Sequence, residues 1–204
     1  MTFHSQQRYS YPWGFRNSEG STMPGMSIAC VTGAEFKDNE LILILAKPST
    51  SFIRQIVVTE PIDCAASGYG RCAIGGIVPV KYDSGTPAFG DNYGFKPSQS
   101  TISKGFYGCR VLKLLDSTAK IAQVELNEIT TVLGKASGSI SARSSTTPGS
   151  GSMEIWYNNA GTLTDAGFSD ITVKNLSASA VTSGGYIQAK LIAGEWFVDF
   201  EDCP

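Results

Sequence analysis

Histidine is nearly missing from this sequence. The 204 residues hold a single one, His4. A Ser-His-Asp or Cys-His centre needs an imidazole held by a folded scaffold, and chain ends fray, so these nucleophilic mechanisms are not expected. A structural zinc site needs four Cys or His ligands at short paired spacings, whereas Cys64 and Cys72 stand too far apart for a knuckle and no second pair follows. Charge is scarce too: charged residues make up 17%, the net charge is -2, and the Lys and Arg residues are scattered singly. Nucleic-acid binders carry clustered cations, so no direct nucleic-acid contact is expected. There is no run of about 18 apolar residues, so no membrane span is expected. The polar, aromatic start has no apolar h-region, so no secretory signal is expected.

Other absences concern phosphate and redox chemistry. Gly134-Lys135 is followed by Ala136 and has no glycine at the Walker spacing. The stretch GFKPSQSTISKGFYGCRV (94–111) runs into a strand pattern and not into a helix whose N-terminus could hold a phosphate. Its glycines at 94, 105 and 108 therefore read as places of positive φ or close backbone approach. Five cysteines, Cys30, Cys64, Cys72, Cys109 and Cys203, form an odd set at wide spacing. That fits free thiols made in a reducing compartment better than a disulfide framework. Glu125 with Glu128, or Asp199, Glu201 and Asp202, leave a glycoside hydrolase as a minor reading, which needs two carboxyls facing across a cleft. No cofactor and no metal are expected.

What the chain does have is strand chemistry. Hydrophobic residues make up 42%, with 22 glycines, and no helical periodicity is visible. LILILAKP (41–48), IRQIVVTE (53–60), FYGCRVLKLL (106–115) and IAQVELN (121–127) read as strands, the last two as a hairpin across DSTAK. GRCAIGGIVPVKYD (70–83) reads as two short strands around Gly75-Gly76. YIQAKLI (186–192) and EWFVDFED (195–202) read as a hairpin across Ala193-Gly194, with Trp196, Val198 and Phe200 on one face. No fixed-period internal repeat is visible.

The expected fold is all-β: two small β-barrel or β-sandwich domains with an extended N-terminal arm. The arm covers 1–24, a barrel-like domain 25–133, a Ser/Gly-rich connector 134–152, and a C-terminal β-sandwich 153–204. In the arm, Phe3, Tyr9, Tyr11, Trp13 and Phe15 alternate, so an extended strand would line them on one face. Two readings stay open: a first strand covering its own core, or an arm docking on a neighbouring subunit, with these five as interface residues. Under the second, deleting residues 1–15 weakens attachment and leaves the fold intact. Trp156 and Trp196 lie in strand patterns and read as core.

The sequence also resembles a family of small tailed-bacteriophage virion structural proteins. The resemblance rests on Arg16-Asn17-Ser18 through Pro24, on Ala29-Cys30-Val31-Thr32-Gly33, and on the Gly90–Gly108 stretch. It continues through SISARSSTTPGSGSMEIWY (139–157), ITVKNLSASAV (171–181), YIQAK (186–190) and EWFVDFEDC (195–203). Phe95 stands where proline is common in the family, and Ser100 where an aromatic is common. The resemblance implies a non-enzymatic part of the virion, assembled in the host cytoplasm. Its partners would be the major capsid protein or other virion proteins, and it would form a homo-oligomer. A capsid decoration or cement protein is the leading expectation. A tail, neck or fibre component, with glycan binding at the host surface, is the alternative.

Overall fold

A computed structural model of the chain describes residues 9–52, 56–159 and 161–201. The described residues form sixteen β-strands and no helix. The expected all-β class is what is found, arranged as two closed barrels with a five-stranded sheet between them in sequence.

The first barrel holds β1 (Trp13–Asn17), β2 (Ile28–Lys37), β3 (Glu40–Ala46), β4 (Val57–Thr59) and β5 (Tyr69–Ala73). Its ring order is β1-β3-β2-β4-β5, closed by β5 on β1. The middle sheet is ordered β6 (Gly76–Lys81), β10 (Ile121–Leu126), β9 (Gly108–Asp116), β7 (Asn92–Phe95), β8 (Ile102–Lys104). The second barrel holds β11 (Thr131–Ala136), β12 (Gly149–Asn159), β14 (Ile171–Asn175), β15 (Tyr186–Ile192) and β16 (Glu195–Glu201), with β13 (Thr162–Asp165) added beside β12. Pairing of β11 with β12 closes it.

Period-two alternation explains how β4 and the adjoining ends of β2 and β5 are buried on both faces. Ala29, Val57 and Cys72 point into the barrel and pack with Phe15 and Leu45. Their neighbours Ile28, Val58 and Ala73 point outward into a second cluster that runs through the middle sheet to the second barrel. The two expected hairpins are present. At the turn of the second, Ala193 and Gly194 have φ of 51° and 86°, the sign a type I′ turn needs.

Several expectations are corrected. The N-terminal segment is not wholly an arm: β1 lies between β3, to which it is parallel, and β5. Phe15 is 1% exposed inside the barrel, so it is core and not an interface residue. Phe3 and His4 lie outside the described residues. The two short strands read around Gly75-Gly76 are present as β5 and β6, and they belong to different sheets. The Ser/Gly-rich segment 134–152, for which the sequence leaves hinge and packed strand both open, is packed: Ile140 is buried and bridges Val181, and the two ends of the segment lie in β11 and β12. Phe200 does not share the face of Val198. A bulge at Asp199 lets Gln188 pair with Phe200 and Ala189 with Val198, which turns Phe200 outward.

The two barrels share one plan. Each has four antiparallel seams and one parallel seam, β1 with β3 and β14 with β16. Matching the parallel seams equates β1, β2, β3 with β14, β15, β16, and β4, β5 with β11, β12. The chain enters the second ring at a different strand, so the barrels are circular permutations of each other. An asparagine marks the correspondence at the end of β1 and of β14. Asn17 Nδ2 donates to the carbonyls of Ser21 (2.9 Å), Cys64 (3.2 Å) and Ala65 (3.0 Å), and its Oδ1 accepts from the Glu19 N–H (2.9 Å). Asn175 Nδ2 donates to the carbonyls of Ser179 (2.8 Å) and Ser141 (3.2 Å), and its Oδ1 accepts from the Ser177 N–H (2.8 Å). Further along, Met23 bridges Cys64 just as Val181 bridges Ile140. Gly149 belongs to the same knot: a Cβ there would lie 1.9 Å from the Ser141 oxygen.

Candidate functional site

A cleft of about 390 Å³ opens between the β8–β9 turn of the middle sheet and the start of the second barrel. The turn fits there because glycine permits it. A Cβ on Gly94 would lie 1.8 Å from the Tyr107 oxygen, and one on Gly105, whose φ is +83°, would lie 2.1 Å from the Asn158 oxygen. These glycines serve close approach, as their sequence context suggested. Lys96 is exposed, and Lys104 pairs with Asp91 at 3.0 Å on the surface.

Three separate segments supply the polar lining: Asn92, then Asn127 to Thr131 with Glu128 and Thr130, then Asn158. Phe106 and Tyr107 form part of the wall, and Phe106 stacks on Tyr157 with ring centroids 4.1 Å apart. The Tyr107 hydroxyl donates to the Trp156 carbonyl at 2.5 Å and accepts from the Leu133 N–H at 3.0 Å. It therefore ties together β11 and β12, the seam that closes the second barrel. Burial pushes this phenol up to about 12, against a smaller opposing effect of the Leu133 hydrogen bond.

The cleft can hold a polar group by hydrogen bonds. Glu128 is its one carboxylate, and the other acid weighed with it, Glu125, sits within β10 opposite Arg110. Asp199 accepts from Gln188 at 3.3 Å on the second barrel, while Asp202 lies outside the described residues. The Cys109 thiol, also in the cleft wall, is pushed up by burial, and Cys72 is raised to about 12 by burial first. Neither is a ready nucleophile. Cys30, Cys64, Cys72 and Cys109 are all buried free thiols, and Cys203 lies outside the described residues. No group of three or more His, Cys, Asp or Glu side chains is placed to hold a metal ion among the described residues.

The sequence-predicted interface residues are not brought together as one exposed face. Tyr9 and Tyr11 are half-buried, and Tyr11 packs against the large core. Trp13 is exposed and Phe15 is inside the first barrel. Trp196 is core, as read, but Trp156 is half-buried on the outside of the second barrel. What the sequence did not reveal is a junction of rings. Phe52, from the link between β3 and β4, meets Phe95 at 5.6 Å, Tyr107 at 6.5 Å, Phe168 at 5.1 Å and Trp196 at 6.1 Å. All three β units contribute to it. Phe95, from β7 of the middle sheet, supplies one of these rings. No family model, no curated protein and no solved structure matches the chain.

Proposed function

We propose that the chain is a non-enzymatic structural protein of a tailed-phage virion, and a capsid decoration or cement protein in particular. The virion assignment comes from the sequence resemblance. The structural observation that supports an architectural role is the ring junction, which joins two barrels and a sheet through one continuous core. Such a body can carry load between neighbours. Large apolar side chains stand on its outside, Phe36 on the β2–β3 hairpin and Phe200 on the second barrel, as surfaces for contact need.

The polar cleft supports the second reading, a tail, neck or fibre component that meets a host glycan. Amide, carboxylate and hydroxyl groups beside aromatic rings suit the hydroxyls and apolar faces of a sugar.

Quantitative mass spectrometry of purified virions tests the assignment. Copy number near that of the major capsid protein, or a simple fraction of it, is the expected result. A few copies per particle moves the protein to the neck or tail. Absence from the particle overturns the architectural role.

A further inference from the structure

The polar cleft holds more hydrogen-bonding capacity than the fold uses. The side chains of Asn92, Asn127, Glu128, Thr130 and Thr131 make no hydrogen bond or ion pair with any described residue. Asn158 commits its Oδ1 to the Gly161 N–H at 2.7 Å and keeps its amide donors. Short polar side chains in other loops are spent on the backbone. Asn17 and Asn175 hold the two knots, and Asp83 and Asp116 accept from N–H groups of their own turns. At the cleft, idle groups from three segments converge on one place.

Their chemistry narrows the ligand. Amides and hydroxyls both donate and accept, so the set matches groups that do both, as sugar hydroxyls do. The Tyr107 hydroxyl is already taken by Trp156 and Leu133, so this residue offers the cleft only its ring. With Leu133 it gives a partly exposed apolar patch among the polar groups. The volume of about 390 Å³ lies near the lower end of small-ligand sites, which suits the end of a glycan and not an extended chain.

Charge narrows it further. Glu128 is the one charged side chain in the lining. Lys190 stands cross-strand from Thr131 but is not part of that lining. A carboxylate, sulfate or phosphate on a ligand would meet a like charge with no lining cation beside it. A neutral hydroxyl would instead donate to Glu128 in a charge-assisted bond.

We propose that the cleft binds the uncharged terminal sugar of a glycan, and that Glu128 is the residue that turns acidic sugars away. The inference rests on the second reading above, that the cleft meets a glycan, and not on where in a virion the chain sits.

A glycan array probed with the full chain, followed by NMR titration with galactose, N-acetylglucosamine, sialic acid and glucuronic acid, tests it. Glycans with neutral ends are expected to bind and to shift the resonances of residues 105–108 and 127–131. Those ending in sialic or uronic acid are expected not to bind. N127A is expected to weaken binding about fivefold, the effect of one hydrogen bond. E128Q is expected to admit acidic ends, and E128K to prefer them. These side chains bond to nothing else in the fold, so circular dichroism should stay unchanged. Wild type that binds acidic ends, or E128K with unaltered selectivity, overturns the inference while the glycan reading stands. So does neutral-sugar binding that N127A leaves intact, since the sugar then sits elsewhere. Binding of no glycan by wild type or variants overturns the glycan reading and this inference with it.

Discussion

Replacing Asn17 by alanine removes four hydrogen bonds at a residue that is 0% exposed. A hydrogen bond contributes about 1 kcal/mol net, and a polar group left buried without a partner costs more. Three carbonyls and one N–H lose their partner together, although water can reach some of them. The expected loss for N17A is therefore about 3 kcal/mol, a large fraction of the stability of a domain. N175A removes three bonds, so about 2 kcal/mol is expected there. Urea unfolding followed by circular dichroism measures both, and hydrogen exchange shows which barrel opens. N17D is the control. It keeps an acceptor for the Glu19 N–H, but turns a carboxyl toward three carbonyls in place of an amide donor. If the asparagine acts by donating, N17D is at least as damaging as N17A. A loss below about 1 kcal/mol at both asparagines, or rescue by N17D, refutes the idea that these side chains hold the barrels.

Y107F should lose the two hydrogen bonds that bridge β11 and β12, at a cost of about 2 kcal/mol in urea unfolding. It should also flatten the alkaline loss of stability: folding keeps the phenol protonated, so its contribution is intact below pH 10 and is lost as pH rises towards about 12. F15A should cost about 3–5 kcal/mol, the usual result of emptying a fully buried aromatic site. By the same logic, deleting residues 1–15 should unfold the first barrel and not merely weaken attachment, which loss of cooperative thermal unfolding would reveal.

The all-β class and both hairpins were legible in the sequence because their signals are local. Alternation marks the strands, and short polar or glycine-containing breaks mark the turns. The place of β1 was not legible, since its parallel partner β3 lies beyond an intervening strand and leaves no local trace. Phe200 was misplaced because a bulge changes the face of every residue beyond it, and one extra residue is invisible to a period-two reading. The shared barrel plan escaped for another reason. The permuted order means that no single offset aligns both halves of the ring, and the knots share little more than Arg16-Asn17 with Ser21 and Lys174-Asn175 with Ser179. The cleft was hidden because its polar groups come from three segments far apart in the chain, none of which alone marks a site.

The permutation also accounts for how the barrels are fixed to each other. Each ring consists of a three-stranded part (β1–β3 or β14–β16) and a two-stranded part (β4–β5 or β11–β12), taken in opposite order along the chain. Each asparagine sits on the three-stranded part and donates to a carbonyl of the segment between the two strands of the other part, Cys64 and Ala65 in one barrel and Ser141 in the other. The knot thus holds the parts together whichever comes first. What the order changes is the link between the parts. In the first barrel the link runs from β3 to β4 and carries Thr50 and Phe52. In the second it runs from β13 to β14 and carries Phe168 and Ser169. These two links meet: the Ser169 N–H donates to the Thr50 carbonyl at 2.7 Å, their hydroxyls lie 3.3 Å apart, and the Phe52 and Phe168 rings pack at 5.1 Å. From segments that a single barrel would leave as surface loops, the Phe52 and Phe168 rings join the core of the junction, while Thr50 and Ser169 meet at its exposed edge. The links that the permutation creates therefore form a direct contact between the barrels, beside the middle sheet that shares their core.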